Sequence, residues 1–218
     1  PIRYTKAIGS AKFDVVDVNI ASKAYKIGIV LSTGFPGGDE DFSSMVKRTP
    51  KVIAAINGAY FDKNTKLPIG DIWSDGELKR KGLMGTAFCV SSDGTMDIRR
   101  VTRHRGVDWS PFETVLACGP ALVLDGKVDC DWQSEGFRDP HVTGSTKRMG
   151  LGYTKSGNLL LVRGLTSMTF ESFASAMHKM GCYEAMNLDS GASRGFFFEG
   201  AYVETPSRKL TNVLVVRR

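Results

Sequence analysis

Residues 167–193, SMTFESFASAMHKMGCYEAMNLDSGAS, place a helix, a strand and a polar turn in immediate succession. Phe170, Phe173, Ala174, Met177 and Met180 recur at i, i+3, i+4, i+7 and i+10, which lays them on one face of a helix over 170–180. Thr169 suits the N-cap because its hydroxyl can accept an unpaired N–H of the first turn, Glu171 complements the positive end of the helix dipole, and Gly181 provides the stop. Glu184 to Leu188 then reads as a strand, Asp189 to Arg194 as a polar loop, and Gly195 to Phe198 as another strand. A Phe and Met stripe at helical spacing is core, so this stretch predicts one helix packed on strands, the kernel of an α+β domain.

Upstream of this kernel the chain reads as mostly short strands, mixed or antiparallel. Lys12 to Ile20 alternates apolar and polar residues, Tyr25 to Leu31 does so loosely, and Val52 to Ile56 is an apolar run too short for a helix. Further strands are expected at Thr86 to Val90, Thr114 to Ala117, Ala121 to Leu124, Met149 to Tyr153 and Leu159 to Val162, with Leu210 to Val216 closing the chain. Asp75-Gly76, Asp93-Gly94, Asp125-Gly126 and Ser156-Gly157 supply the turns, and Thr33 to Gly38 is a loop. A short helix is expected near 40–48, from the acidic start at Asp39 to Lys47, Arg48 and the stop at Pro50. No repeat or linker interrupts the pattern, so residues 1–218 read as a single domain.

Composition narrows the class. A 42% hydrophobic, 24% charged chain is ordinary globular material, and 24 glycines fit many turns. Cys89, Cys118, Cys130 and Cys182 are far apart, with neither a C-x-x-C pair nor histidine at ligand spacing, which argues against structural zinc and fixes no disulfide. The net charge of +6 includes basic clusters at Lys79–Lys81, Arg99–Arg100 with Arg103–Arg105, and Arg217–Arg218. Without interleaved aromatics or a nucleic-acid motif these read as solvated faces, so no nucleic-acid partner is expected, although an anionic substrate would suit the field. No apolar stretch is long enough to span a membrane, and a start at Pro1 suggests a processed or trimmed chain.

Two local motifs invite chemistry. Gly191-Ala192-Ser193-Arg194-Gly195 matches the G-x-S-x-G nucleophile elbow, but that turn requires a helix after the serine and a histidine later in the chain. Here a strand follows, and His104, His141 and His178 all precede Ser193. Asn57-Gly58 by itself reads as a tight hairpin turn, and Asn187 to Gly191 as a strand-ending turn.

Taken in order, AAINGAYFD, PIGDIWSDGEL, ACGPALVLDGKV, TKRMGLGYTKSGNLLLV, SMTFESFASAMHKMGCYEAMNLDSGAS and SRKLTNVLVV resemble the phosphodiester glycosidase family over nearly the whole chain. The resemblance implies a hydrolase that splits a sugar, such as N-acetylglucosamine, from phosphate, on an exopolysaccharide or other secreted or cell-envelope glycan. It implies a site built from Asp189, Arg148 and Asn57, with Gly58, Asn187, Gly191, Ser193 and, before the last strand, Arg208. A carboxylate such as Asp189 can stabilise or attack an oxocarbenium-like anomeric carbon, and Arg148 can hold phosphate through a bidentate fork. Asn57 and Asn187 are expected to orient sugar hydroxyls or the carboxylate. A second carboxylate for activating water is left open among Asp62, Asp71 and Asp75. No cofactor is called for; a divalent cation is compatible with the family, although no ligand spacing demands one.

The pattern departs from the family at Ser190 and Ala192, and at Ala59, where relatives carry glycine; each adds a Cβ where glycine permits close approach or positive φ. Those departures leave two rival readings: a carbohydrate- or phosphoglycan-binding module without turnover, and an ordinary glycosidase using two carboxylates about 5–10 Å apart.

Overall fold

A computed structural model describes all residues of the chain except 84 and 102–106. The basic cluster at Arg103–Arg105 lies outside the described residues. Three sheets carry the fold, and every strand pair among the described residues is antiparallel. The largest runs Ile2–Ile8, Ala11–Asn19, Asn158–Met168, Thr146–Tyr153, Glu184–Leu188, Ala121–Leu124 and Lys127–Val128 in spatial order. A second contains Ala201–Glu204, Phe196–Phe198, Val52–Asn57, Asn212–Arg217 and Lys26–Leu31. The third contains Glu77–Arg80, Ile72–Ser74, Thr114–Ala117, Ala87–Val90 and Met96–Arg99.

The helices are α1 (Phe42–Arg48), α2 (Pro140–Thr143) and α3 (Phe170–Lys179). In α3 the Thr169 hydroxyl accepts the Ser172 N–H at 3.3 Å, and Met180 is the C-cap with Gly181 beyond it at φ 96°. Its buried face, Phe170, Phe173, Ala174 and Met177, packs on Phe13, Val15, Leu160 and Val162 of the seven-stranded sheet. Gly150 permits this approach: a Cβ there would stand 2.7 Å from the Phe173 ring. Burial of each of these Phe and Met side chains contributes about 1.5–3 kcal/mol, and truncating Phe173 to alanine would cost about 3–5 kcal/mol.

The opposite face of that sheet, with Val16, Val18, Leu151 and Leu161, meets Ile56 and Leu214 of the second sheet and Phe88 and Leu116 of the third in one continuous core. The seven-stranded sheet is therefore the middle layer, and the carboxyl end of Glu184–Leu188 emerges where it meets the second sheet. This α+β architecture agrees with the sequence reading. Asp75-Gly76 and Asp125-Gly126 form tight hairpin turns with positive φ at both residues. Asn57-Gly58 does not: the strand it ends pairs with Phe196–Phe198 and Asn212–Arg217, both distant in sequence.

Of the basic clusters, Lys79 pairs with Glu77, Arg99 with Asp97, and Arg100 with Asp129 and Glu135. Those charges are committed locally. All four cysteines are free thiols, three of them buried. No helix among the described residues is long and apolar enough to cross a membrane.

Candidate active site

Asp189 follows the last residue of the Glu184–Leu188 strand and is fixed through its backbone on two sides. Its N–H donates to the Gly58 carbonyl at 3.2 Å, and its own carbonyl accepts the Asn57 Nδ2 hydrogen at 2.7 Å. Asn57, 1% exposed, also accepts the Gly195 N–H at 3.1 Å through Oδ1. Both ends of its side chain are thus occupied in tying the Val52–Asn57 strand to the Asp189 loop, so Asn57 positions the carboxylate from behind. Gly58 is required by packing: a Cβ there would lie 1.9 Å from Asn212 Oδ1, the atom that accepts the Ala59 N–H.

Asn187, two residues earlier in the Glu184–Leu188 strand, is fully buried, with Nδ2 donating to Tyr60 Oη at 2.8 Å. It therefore sets the position of Tyr60 in the cleft wall. Gly191 is exposed at φ 60°, opening a short 3₁₀ turn over Gly191–Ser193. Ser193 is fully buried, and its Oγ makes no hydrogen bond among the described residues. A strand, Phe196–Phe198, follows that turn, which removes the geometry of a nucleophile elbow. Behind the loop, Arg194 donates to Gly164 O at 3.1 Å and pairs with Glu204 at 2.7 Å, anchoring the turn to the seven-stranded and second sheets.

The three departures from the family pattern impose no backbone strain. Ser190 is extended at φ −132°, ψ −163°, Ala192 lies within the 3₁₀ turn, and neither they nor Ala59 has positive φ. Ser190 adds a contact: its hydroxyl accepts the Met149 N–H at 3.2 Å and donates to the Leu188 carbonyl at 3.2 Å.

The carboxylate of Asp189 faces a cleft of about 390 Å³ whose wall includes Tyr60, Lys63, Asp139, His141, Arg148 and Arg208. Burial pushes its pKa up from the ordinary 3.8 to about 6. The dipole of the nearby Ser193 hydroxyl, the Ser190 N–H donating to Oδ1 at 2.7 Å, and the charges of Arg208 and Lys63 oppose that rise without cancelling it.

Arg148 is 0% exposed, with its guanidinium 3.8 Å above the Phe170 ring. Nε donates to Met168 O at 3.2 Å, Nη1 to Val142 O at 2.8 Å, and Nη2 to the carbonyls of Thr143 and Gly144. Four of its five N–H groups are thereby taken, chiefly in holding the carbonyl end of α2. A free bidentate fork is not what the geometry presents; Arg148 contributes a buried charge and one remaining Nη1 hydrogen. Burial lowers its pKa from the ordinary value, and no carboxylate pairs with it among the described residues. A buried cation without a counter-ion favours an anion nearby.

Asp62, Asp71 and Asp75 are engaged elsewhere. Asp62 accepts the N–H groups of Asn64 and Thr65 in its own turn; Asp71 accepts Gly82 N–H at 2.6 Å and Trp109 Nε1–H at 2.7 Å; Asp75 holds the left-handed position of a hairpin at φ 54°. The second carboxylate in the cleft is Asp139, which caps α2 by accepting the His141 N–H at 2.9 Å. Asp139, His141, Lys63 and Tyr60 escape sequence reasoning as site residues. The Asp-Pro pair at 139–140 is a helix-start signal that locates α2, and nothing local ties that helix to Asp189. No group of three His, Cys, Asp or Glu side chains among the described residues converges on a point where a metal could sit.

The mouse N-acetylglucosamine-1-phosphodiester alpha-N-acetylglucosaminidase is 27% identical over 173 residues, 70% of this chain and 33% of that protein. The chain thus spans between 33% and 39% of the length of the curated relatives it matches. The zebrafish catalytic domain of the same name, auto-inhibited by its pro-peptide, superposes with a TM-score of 0.81 at 21% identity, covering 100% of this chain and 82% of that one. A hypothetical protein from Synechocystis superposes with a TM-score of 0.84 at 15% identity, covering 99% and 61%. These two structures share the fold. A sequence profile of the phosphodiester glycosidases matches residues 50–217, from the strand that carries Asn57 through the Asp189 loop to the final strand, and this chain belongs to that family.

Proposed function

We propose that residues 1–218 form one catalytic domain that hydrolyses the bond between a sugar, N-acetylglucosamine or a close relative, and phosphate in a glycosyl phosphodiester. The observation that carries this reading is Asp189: a carboxylate raised to about 6 by burial, in a cleft whose other charges are mostly cations without ion-pair partners among the described residues. Including residues 1–49 is supported by Ala11–Asn19, which pairs along Asn158–Met168 inside the central sheet.

As the anomeric carbon–oxygen bond breaks, the electron pair leaves with the phosphate oxygen and the sugar becomes oxocarbenium-like. Ionised Asp189 meets that carbon as nucleophile, or takes the proton of the water that supplies the new hydroxyl. Arg208 and Lys63 meet the phosphate directly, and Arg148 stabilises the same charge from within the wall. Phosphate is a good leaving group, so strong acid assistance is unnecessary; His141 and Asp139 stand in the cleft as groups able to handle the water proton. The natural substrate is placed among secreted or envelope glycans, in keeping with the resemblance to exopolysaccharide-associated relatives.

The test is hydrolysis of sugar-1-phosphate diesters, including N-acetylglucosamine-1-phosphate linked to methyl or mannose, by the native chain, Asp189→Asn and Arg208→Ala. Release of free sugar that disappears in Asp189→Asn supports the reading. Full turnover in that variant, or no release from any diester by the native chain, defeats it.

A further inference from the structure

Beside the charged cleft lies a second compartment of about 250 Å³, with a different character. Tyr60, Ile69, Asp139 and Val142 belong to both walls, so the two spaces adjoin. Beyond that shared wall the second compartment is lined by Phe137, Cys118, Gly70, Gly136 and Arg138. Its body is apolar, and the ring of Phe137 is fixed edge-on between Tyr60, at 5.9 Å, and Phe170, at 6.1 Å. Hydroxyl groups of a sugar would find few partners there.

The compartment touches neither Asp189 nor the 190–192 turn nor Arg208. A sugar attacked at its anomeric carbon must lie against Asp189, with phosphate leaving on the other side. The group esterified to the outer phosphate oxygen is the part of a diester that need not lie against Asp189, and the annex is open to it across the shared wall of Tyr60, Ile69, Asp139 and Val142. Arg138 and Asp139 are the exposed charged members of its lining, and Asp139 is shared with the cleft.

We infer that this annex is a binding subsite for an apolar aglycone, an aryl or branched alkyl group on the phosphate, and that it sets leaving-group specificity in the cleft. The inference rests on the proposed diester hydrolysis for its orientation, and it concerns the partner of the phosphate, not the sugar. Covering a ring instead of a methyl group in such a space is expected to tighten binding roughly tenfold.

Calorimetric titration of phenyl phosphate and methyl phosphate into the native chain tests the subsite without requiring turnover. Phenyl phosphate should bind about tenfold tighter, and Ile69→Trp, which fills the annex from an exposed position, should bring the two within about twofold. The kcat/KM ratio of the phenyl and methyl diesters of one sugar phosphate should narrow in parallel; a ratio cancels any general loss in the variant. Phe137→Ala, which removes a wall instead of filling the space, should also weaken the preference for phenyl. Equal binding of the two phosphates by the native chain, or absence of binding by both, overturns the inference. Hydrolysis of the methyl diester alongside equal binding would overturn the annex alone and leave the reaction standing; tenfold tighter phenyl phosphate with no diester cleaved would do the reverse.

Discussion

Replacing Asp189 by asparagine should make the protein more stable at neutral pH while abolishing the reaction. A carboxyl held at about 6 in the folded state against an ordinary 3.8 opposes folding once it ionises. The sign follows from proton counts: between pH 4 and 6 the native state holds the proton and the unfolded state has released it, so stability falls as pH rises through that window. Above about pH 6 the full loss is present, and the difference between the two values amounts to roughly 3 kcal/mol. Asparagine keeps the shape and an Oδ1 for the Ser190 N–H, and the charge assistance of that bond is already contained in the net shift of the carboxyl. The net gain expected for Asp189→Asn is about 3 kcal/mol at pH 7.5, or a Tm higher by about 6–12 °C for a chain of this size. Urea unfolding of both proteins at pH 4, 5, 6 and 7.5 checks it, with equal m values required. An asparagine variant less stable than the native chain at pH 7.5, or a difference that does not shrink toward pH 4, would refute the reasoning.

The same carboxylate must be ionised to act, so kcat/KM for diester hydrolysis should fall on the acid side with an apparent pKa near 6; a limb near 4 would assign the essential base elsewhere. Gly58→Ala forces a Cβ against Asn212 Oδ1 and should cost about 1–3 kcal/mol in thermal unfolding, with activity falling because Gly58 O holds the Asp189 N–H; an unchanged Tm counts against it. Arg148→Lys preserves the charge but not the fan of bonds to Met168, Val142, Thr143 and Gly144, so a loss of about 2 kcal/mol or more is expected, measured by urea unfolding. Arg208→Ala with Lys63→Ala should leave the unfolding free energy within about 0.5 kcal/mol of native and raise KM for the diester roughly tenfold, an effect that shrinks at high salt; a KM independent of both cations would remove them from phosphate binding.

The sequence by itself determined the elements whose physics is local. The α3 stripe, its Thr169 cap and Gly181 stop specify a helix and its buried face, because periodicity and capping operate within a few residues. Asp75-Gly76 and Asp125-Gly126 specify turns through their tolerance of positive φ. Strands such as Ile72–Ser74 and Met96–Arg99 are too short to show a period, and Ile2–Ile8 alternates too weakly; they exist because neighbouring strands supply their hydrogen bonds. Asp189 stood out in the sequence as a candidate, but its elevated pKa depends on burial that only the packed sheets create. Asn57, 132 positions away in sequence, grips Asp189 through its backbone carbonyl. Arg148 lost its expected fork to the end of α2, a helix of four residues. Lys63, Asp139 and His141 carry no local mark of membership in the site. Tertiary structure decided those points because a catalytic cleft is assembled from distant segments, and the solvent exclusion that tunes its charges is a property of the whole fold.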